Sequence, residues 1–269
     1  MDVRVIICVP SGREWSAKFG MSLAGMAMHF IANRLPWAKS QSLTIYNKRG
    51  SILPQLREEL VRDALKADAT HILFVDSDQT FPPDTLNRLL AWKLPFVACN
   101  VVVKTFPAVP TARALDPLDN RGRVVYSTGP GLEKVWRIGL GVALIDTQVF
   151  RAIEEPWFLM KYMPNNTFMG EDWYFCEKVE AAGFPIHVDH GLSLQVGHIG
   201  DLEYIHDYCG AERRLTEALR TAYKLGAINS KEPQDAFRSG SSVQGQDDQD
   251  GKESPAGVQG QSGHRGQEP

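Results

Sequence analysis

The sequence lacks any apolar run of the roughly 18–20 residues that a helical membrane span requires, so a spanning helix is excluded. It lacks a C-x-x-C pair as well. Cys8, Cys99, Cys176 and Cys209 stand far apart, a usage that predicts reduced thiols in a cytoplasmic protein. A large excess of either charge is missing too. The formal net charge is −3, which argues against a dedicated polyanion binder. No internal repeat is present. The opening stretch, MDVRVIICVPSG, has an acid at position 2 and a short β-rich run. It reads as a first buried strand and not as a signal peptide.

What is present is an ordinary globular composition, 43% hydrophobic and 9% aromatic over 269 residues, enough for one large domain or two small ones. One boundary stands out. From Asn229 to Pro269 the chain is rich in Gly, Gln, Ser and Asp, and Phe237 is its only aromatic residue. Such a segment buries too little apolar surface to offset the entropy of ordering, so residues 229–269 read as a disordered tail. The tail carries the whole acidic excess. Residues 1–228, the predicted folded domain, are left without formal net charge.

Within that domain β-rich and helical stretches alternate. VRVIICVP reads as a buried strand, stopped by Pro10 and the polar turn Ser11-Gly12-Arg13. Residues 16–34 read as a helix with Met21, Ala24, Met28 and Ile31 on one face, ended by Leu35-Pro36. LTIY (43–46) reads as a second strand. SILPQLREELVRDALKA reads as a helix with Leu56, Leu60 and Ala64 at helical spacing, and THILFV as a third strand. Pro82, Pro83 and Asp84 make a good helix start, and PFVACNVVV reads as a fourth strand. LGVALID (140–146), PIHVD and SLQVGH read as later strands. EDWYFCEKVEAAG reads as an amphipathic helix ending at Gly183, and AERRLTEALRTAYKL as a last helix with Leu215, Leu219 and Ala222 inward. This rhythm predicts an α/β fold with a largely parallel sheet and helices on both faces.

The third strand ends in an unusual way. In HILFVDSDQTF, residues 71–81, a buried run leads directly into Asp76 and Asp78. Two carboxylates this close repel unless something positive stands between them. In open α/β sheets ligands bind beyond the carboxyl ends of the strands. Residues i and i+2 point the same way while the chain stays extended. Both carboxylates can then face one Mg²⁺ or Mn²⁺ ion, which would hold phosphate oxygens. The same three letters also occur as a turn with a helix-capping Asp. The buried strand before them and the helix after them favour the metal.

DSDQT matches the D-x-D-x-T nucleophile motif of haloacid dehalogenase-type phosphatases. That resemblance implies a motif on the first strand and a later acidic cluster for Mg²⁺. Here the motif lies on the third strand, and the nearest acidic candidate, GEDWYF, opens a helix. A broader resemblance is carried by several segments in order, over about residues 3–205. They are RVIICVPSGR, the block from RGSILPQLREEL through HILFVDSDQTF to LLAW, CNVVVKTFPAVPTA, IGLGVALIDTQVF, and GEDWYFCEKVEAAGFPIHVDHGLSLQVGHIG. In these the chain resembles GT-A-fold glycosyltransferases close to the family 2-like group, a type also known from phage genomes.

The resemblance implies a Rossmann-like, mixed, mostly parallel sheet. It implies metal-dependent transfer of a sugar from a nucleotide-sugar, a UDP-sugar favoured, to a hydroxyl acceptor. Asp172 would be the base of an inverting displacement, with Glu171 assisting in acceptor binding or serving as the base itself. Pro10, Ser11, Arg13, Arg57, Asp76, Ser77 and Asp78 would hold the nucleotide-sugar, and Gly141 and Trp173 would face the acceptor. Asp76 and Asp78 would hold Mn²⁺ or Mg²⁺, which neutralises charge developing on the diphosphate leaving group, with His198 as the third protein ligand or a diphosphate contact. Glu58 departs from the Asn of the family's A-R-N segment, which bears on Arg57. Plainer readings stand beside these: helix-start acids favoured by the macrodipole, a structural histidine, a core tryptophan, solvated surface arginines.

The acceptor stays open between polysaccharide, protein and a modified DNA base. Arg113, Arg121, Arg123, Lys134 and Arg137 offer phosphate contacts, against a core without net charge. The competing functions are an Asp-metal nucleotidyltransferase or phosphatase, and a non-catalytic nucleotide-sugar or nucleic-acid binding module. The expected compartment is the cytoplasm, the host's if the chain is phage-encoded.

Overall fold

Alternation of apolar side chains along β1 (Asp2–Ser11) sends Ile6 and Cys8 to one face and Val5, Ile7 and Val9 to the other, so both faces must be covered. The computed structural model describes residues 1–116, 119–164, 166–200, 203–210, 213, 214, 216, 217, 220 and 221. The tail at 229–269 and the inward residues expected of the last helix, Leu215, Leu219 and Ala222, lie outside them. After β1 come α1 (Ala17–Ala32), β2 (Ser40–Arg49), α2 (Leu53–Lys66), β3 (His71–Val75), β4 (Gln79–Thr80), α3 (Thr85–Ala91) and β5 (Phe96–Ala98). Then follow β6 (Arg113–Asp116), β7 (Asp119–Val124), β8 (Leu132–Val135), β9 (Val142–Asp146), α4 (Thr147–Ala152), β10 (Lys161–Tyr162) and β11 (Phe168–Met169). The described elements end with α5 (Glu171–Ala181), β12 (Ile186–Asp189), α6 (His190–Ser193), β13 (Gly197–Ile199), β14 (Glu203–Tyr204) and a 3-10 turn, His206–Cys209.

The central sheet has seven strands in the order β2-β1-β3-β9-β5-β12-β8. All share one direction except β9, antiparallel between β3 and β5, and β8, antiparallel on the outer edge of β12. This is a Rossmann-like α/β architecture with a mixed, mostly parallel sheet. One face packs Leu60, Val61 and Ala64 of α2 and a cluster of Phe150, Phe158 and Phe175 against Ile6, Ile72 and Phe74. The other face packs α1 and α3 against Val5, Ile7, Leu73 and Leu144. Among the described residues no helix is long and apolar enough to cross a membrane.

Several local expectations are corrected. The buried stripe of α1 is Phe19, Leu23, Met26 and Phe30, whereas Met21, Met28 and Ile31 are exposed. Both stripes have helical spacing, and the aromatic one wins because its rings fill the space over the sheet. LTIY is the middle of a ten-residue edge strand, held by pairing with β1 through the whole of its length. PFVACNVVV is a strand of the central sheet only over Phe96–Ala98, and Asn100 just beyond turns its backbone N–H to Ser193 Oγ at 2.8 Å. In SLQVGH only Gly197 and His198 are strand, since Ser193 ends α6.

Candidate functional site

The topology gathers several segments at one edge of the sheet. β1 and β3 are parallel neighbours, so Pro10-Ser11 and Asp76 leave the sheet side by side. β9 runs the other way and therefore begins where β3 ends: Val75 faces Val142, and Asp76 N–H donates to Gly141 C=O at 2.9 Å. Gly141 is buried, and a Cβ there would press on Gln79 and Val101 at 3.2–3.3 Å. Its part in the site is thus to let the D-x-D turn settle on the sheet.

Asp76 and Asp78 are each neutralised, but by different partners. Arg57, only 2% exposed, reaches Asp76 Oδ1 at 2.9 Å with Nη2 and Glu171 Oε1 at 2.6 Å with Nη1. Its planar fork suits such a bridge. Burial works against its charge, yet Asp76 and then Glu171 hold the proton on more firmly than usual. Arg57 is therefore not solvated surface: it lies buried behind Asp76, paired to two carboxylates. It ties the D-x-D turn to the start of α5. Glu58, beside it, accepts from Phe158 N–H at 2.7 Å and is spent on structure.

Asp172 lies one residue further into α5, partly exposed, its Oδ1 accepting from Trp173 N–H at 2.7 Å. Burial, then the neighbouring Glu171, pushes its carboxyl up to about 6. Arg57 pulls the other way without offsetting this. Glu171 is the acid paired to Arg57, and Asp172 is the one whose carboxyl is raised. Trp173 is half-buried, with the Arg113 guanidinium 5.7 Å above its ring.

Asp78 faces the other side. Its Oδ2 is 2.6 Å from Lys104 Nζ and 3.3 Å from His198 Nε2. Burial pushes the Asp78 carboxyl up, but the hydrogen bonds from His198 and Lys104 outweigh it and hold the group at about 2. His198 arrives on β13, which pairs antiparallel with β4, directly after the D-x-D turn. Ile199 N–H also donates to Asp78 C=O at 2.7 Å. Gly197 is needed for this approach, because a Cβ there would meet Glu203 and Thr80 at 2.5–2.6 Å. His198 Nδ1 lies 2.7 Å from Val102 C=O. A carbonyl only accepts, so Nδ1 carries the proton and Nε2 is turned to Asp78.

A cleft of about 240 Å³ opens here, lined by Pro10, Ser11, Gly12, Gly50, Ser51, Leu53, Leu56, Asp76, Ser77, Asp78 and His198. Of the expected nucleotide-side residues, Pro10, Ser11, Asp76, Ser77 and Asp78 meet at it. Arg13 is exposed beyond Gly12 and Arg57 is buried behind Asp76, and neither lines it. The carboxylates of Asp76 and Asp78 are turned to separate cations, and among the described residues no three His, Cys, Asp or Glu side chains converge as a metal site. Lys104 was missed in the sequence, where a single lysine after an apolar run has no signal of its own. Three of the basic residues expected in 104–137 are engaged: Arg137 with Glu180 at 3.0 Å and Arg123 with Glu133 at 3.6 Å, while Arg113 donates to backbone carbonyls. The Arg121 side chain lies outside the described residues.

No protein-family model matches the chain, and no curated protein matches it. Among solved structures, the crystal structure of A197 from STIV is similar in fold, with a TM-score of 0.50 and 17% sequence identity, covering 77% of this chain and 91% of that one.

Proposed function

We propose that the protein transfers a sugar from a nucleotide-diphosphate donor, a UDP-sugar favoured, to a hydroxyl acceptor, with Asp172 as the base. The observation that carries this reading is that Arg57 ties Asp76 of the D-x-D turn to Glu171 at the start of α5, so that two unlike carboxylates, Asp78 and Asp172, stand on joined segments. On one side Asp78, held at about 2, stays ionised at the cleft. On the other, Asp172 at about 6 has a basicity suited to taking a proton near neutral pH. Groups pushed apart in this way mark acid–base roles. Arg57 holds Asp76 and Glu171 in place, so the donor side and the base sit on one rigid frame.

In this reading a divalent cation would rest on Asp78 and His198 together with the donor phosphates, two protein groups in place of a cluster of three. Asp78 Oδ2 and His198 Nε2 face each other at 3.3 Å, and the Nδ1–H···O=C bond is the usual support behind a ligating histidine. Mg²⁺ and Mn²⁺ are typically held by one or two protein groups plus substrate phosphates, so a full protein cage is unnecessary. A bound cation would supply positive charge to the leaving diphosphate. Ser11, Ser77 and the backbone of Gly12 line the donor side of the cleft. Asp172, on α5, takes the acceptor's proton.

The test is thermal unfolding with UDP-, GDP- and CMP-sugars, each with Mn²⁺ and with EDTA, on wild type and Asp78→Asn. A donor at about 100 times its dissociation constant adds roughly 2.7 kcal/mol of stability. A shift from one nucleotide class, lost with EDTA and in the variant, is expected. No shift from any sugar nucleotide sinks the reading. Pyrophosphate release from a nucleoside triphosphate would instead indicate attack at phosphorus.

A further inference from the structure

Helix α1 is apolar where a surface helix is normally polar. Its sheet side is filled by Phe19, Leu23, Met26 and Phe30. At about 100° per residue, Ala17, Met21, Ala24, Met28 and Ile31 fall on the opposite side, within an arc of roughly 80°. All five are exposed, Met21 at 74%, Met28 at 73% and Ile31 at 63%. Lys18 and His29 are the only ionisable side chains in the sixteen residues of α1. A helix apolar all round is ordinarily buried, yet here one whole side is open to solvent. The ends of the stripe differ from its middle. Trp15, 40% exposed, stands before α1 with its ring edge-on to Phe19 at 5.1 Å. Trp37 follows α1, half-buried, with Lys93 Nζ 5.2 Å over its ring. The end of α3 reaches this place beside α1, where Asn87 donates to Asn33 C=O at 3.1 Å. From Arg13 to Lys39 the chain holds four Lys or Arg, at 13, 18, 34 and 39, against one acid, Glu14. Lys18 is paired with Glu203. Arg34 and Lys93 are exposed and form no ion pair among the described residues.

We propose that α1 is the docking face for an anionic lipid bilayer, lying flat among the headgroups with Met21, Met28 and Ile31 turned to the acyl chains. Sixteen residues of helix reach about 24 Å, too short to cross a bilayer. A helix lying flat with an apolar face, flanking tryptophans and cations is instead the arrangement that binds the interface. Methionine side chains, unbranched and adaptable, suit a disordered acyl boundary. Charge favours a bilayer over a second copy. In an antiparallel pair of α1 helices Lys18 meets Arg34, and in a parallel pair each meets its own equivalent, so like charges face each other in both. The tail at 229–269, with one aromatic residue, offers little apolar surface to this stripe. The inference uses none of the cleft residues and stands apart from the transferase reading.

The experiment is co-sedimentation of the full-length chain with vesicles of phosphatidylcholine alone and of phosphatidylcholine with phosphatidylglycerol, at low and at high salt. Wild type is compared with Met21→Ser/Met28→Ser, with Arg34→Gln/Lys93→Gln, and with Leu115→Ser, an exposed apolar residue on β6, as control. Thermal unfolding checks that each variant is folded. Wild type is expected to sediment with the phosphatidylglycerol vesicles and to be released by salt. The methionine variant should bind about tenfold more weakly or worse, and the cation variant about tenfold more weakly. Leu115→Ser should match wild type. No sedimentation of folded wild type with either vesicle, or equal binding of wild type and the methionine variant, overturns the proposal. Equal binding to both kinds of vesicle overturns the choice of an anionic surface. A concentration-dependent dimer, lost in the methionine variant and without vesicle binding, assigns the face to a second copy instead.

Discussion

Asp172 carries both a cost and a use. Its carboxyl is pushed from an ordinary value of 3.8 to about 6 by burial and by Glu171. Between those values the folded chain holds a proton that the unfolded chain has released. The group's contribution to stability is full below about pH 4 and is lost as pH rises through about 6. Above that, folding carries an unfavourable buried charge, on the order of 2 kcal/mol. Asp172→Asn is therefore expected to raise the urea midpoint at pH 8 and, under the proposed function, to abolish transfer. The wild-type kcat/KM should fall as pH drops through about 6, when the base is protonated. A variant no more stable than wild type at pH 8 would contradict the desolvation account. At the same scale, the pairing of Asp76 with Arg57 and of Asp78 with Lys104 answers why two acids can follow a buried strand. Each has its own cation, and the repulsion never has to be borne.

At the scale of elements, α1 shows how one helix can offer two apolar stripes of which the fold uses one. Phe30 and Met26 are fully buried over the sheet, while Met28 is 73% exposed. Phe30→Ala removes a ring from a packed core and is expected to cost about 3–5 kcal/mol. Met28→Ser removes nothing that is packed and should stay within about 0.5 kcal/mol of wild type. Guanidinium unfolding of the two variants checks both, and a large loss from Met28→Ser would mean that the exposed stripe is covered in solution. The start of α5 uses its acids differently from a simple helix-dipole pair: Glu171 is bonded to Arg57, and Asp172 caps its own next residue. Edge strand β2 and the helix after it bring Arg57 beneath the turn, so a buried arginine serves as the joint between two elements.

At the scale of the whole molecule, charge decides what surfaces are on offer. The domain is formally neutral apart from its acidic tail, and two of the arginines expected to meet phosphates are paired to acids, Arg137 to Glu180 and Arg123 to Glu133. Non-specific DNA affinity comes from releasing counterions with free cations. The protein is therefore expected to leave duplex DNA unshifted in an electrophoretic mobility assay at physiological salt. A shift that weakens steeply with added salt would restore DNA as the acceptor class. The sheet adds a directional element: antiparallel β9 brings the Gly141 end to the same edge as the carboxyl ends of β1 and β3. One edge of the sheet can thus hold both the cleft and, through Arg57, the start of α5.

Periodicity and adjacency along the chain were enough for the alternation of strands and helices, the D-x-D at the end of the third strand, and the Glu171-Asp172 opening of α5. These are local matters, decided by side-chain spacing and by what a helix or strand end needs. The antiparallel course of β9, the buried stripe of α1, and the Arg57 bridge between Asp76 and Glu171 were not legible. Arg57 and Glu171 are 114 residues apart in sequence, and a lone arginine on a helix looks the same whether solvated or buried. Lys104 is the sharpest case, since its meaning depends wholly on the carboxylate it meets. Sequence sets which groups are charged and which segments are apolar. Only the packed chain decides which charges lose water and which meet partners: hydrogen bonds from His198 and Lys104 hold Asp78 at about 2 against its burial, while burial and then Glu171 push Asp172 up to about 6.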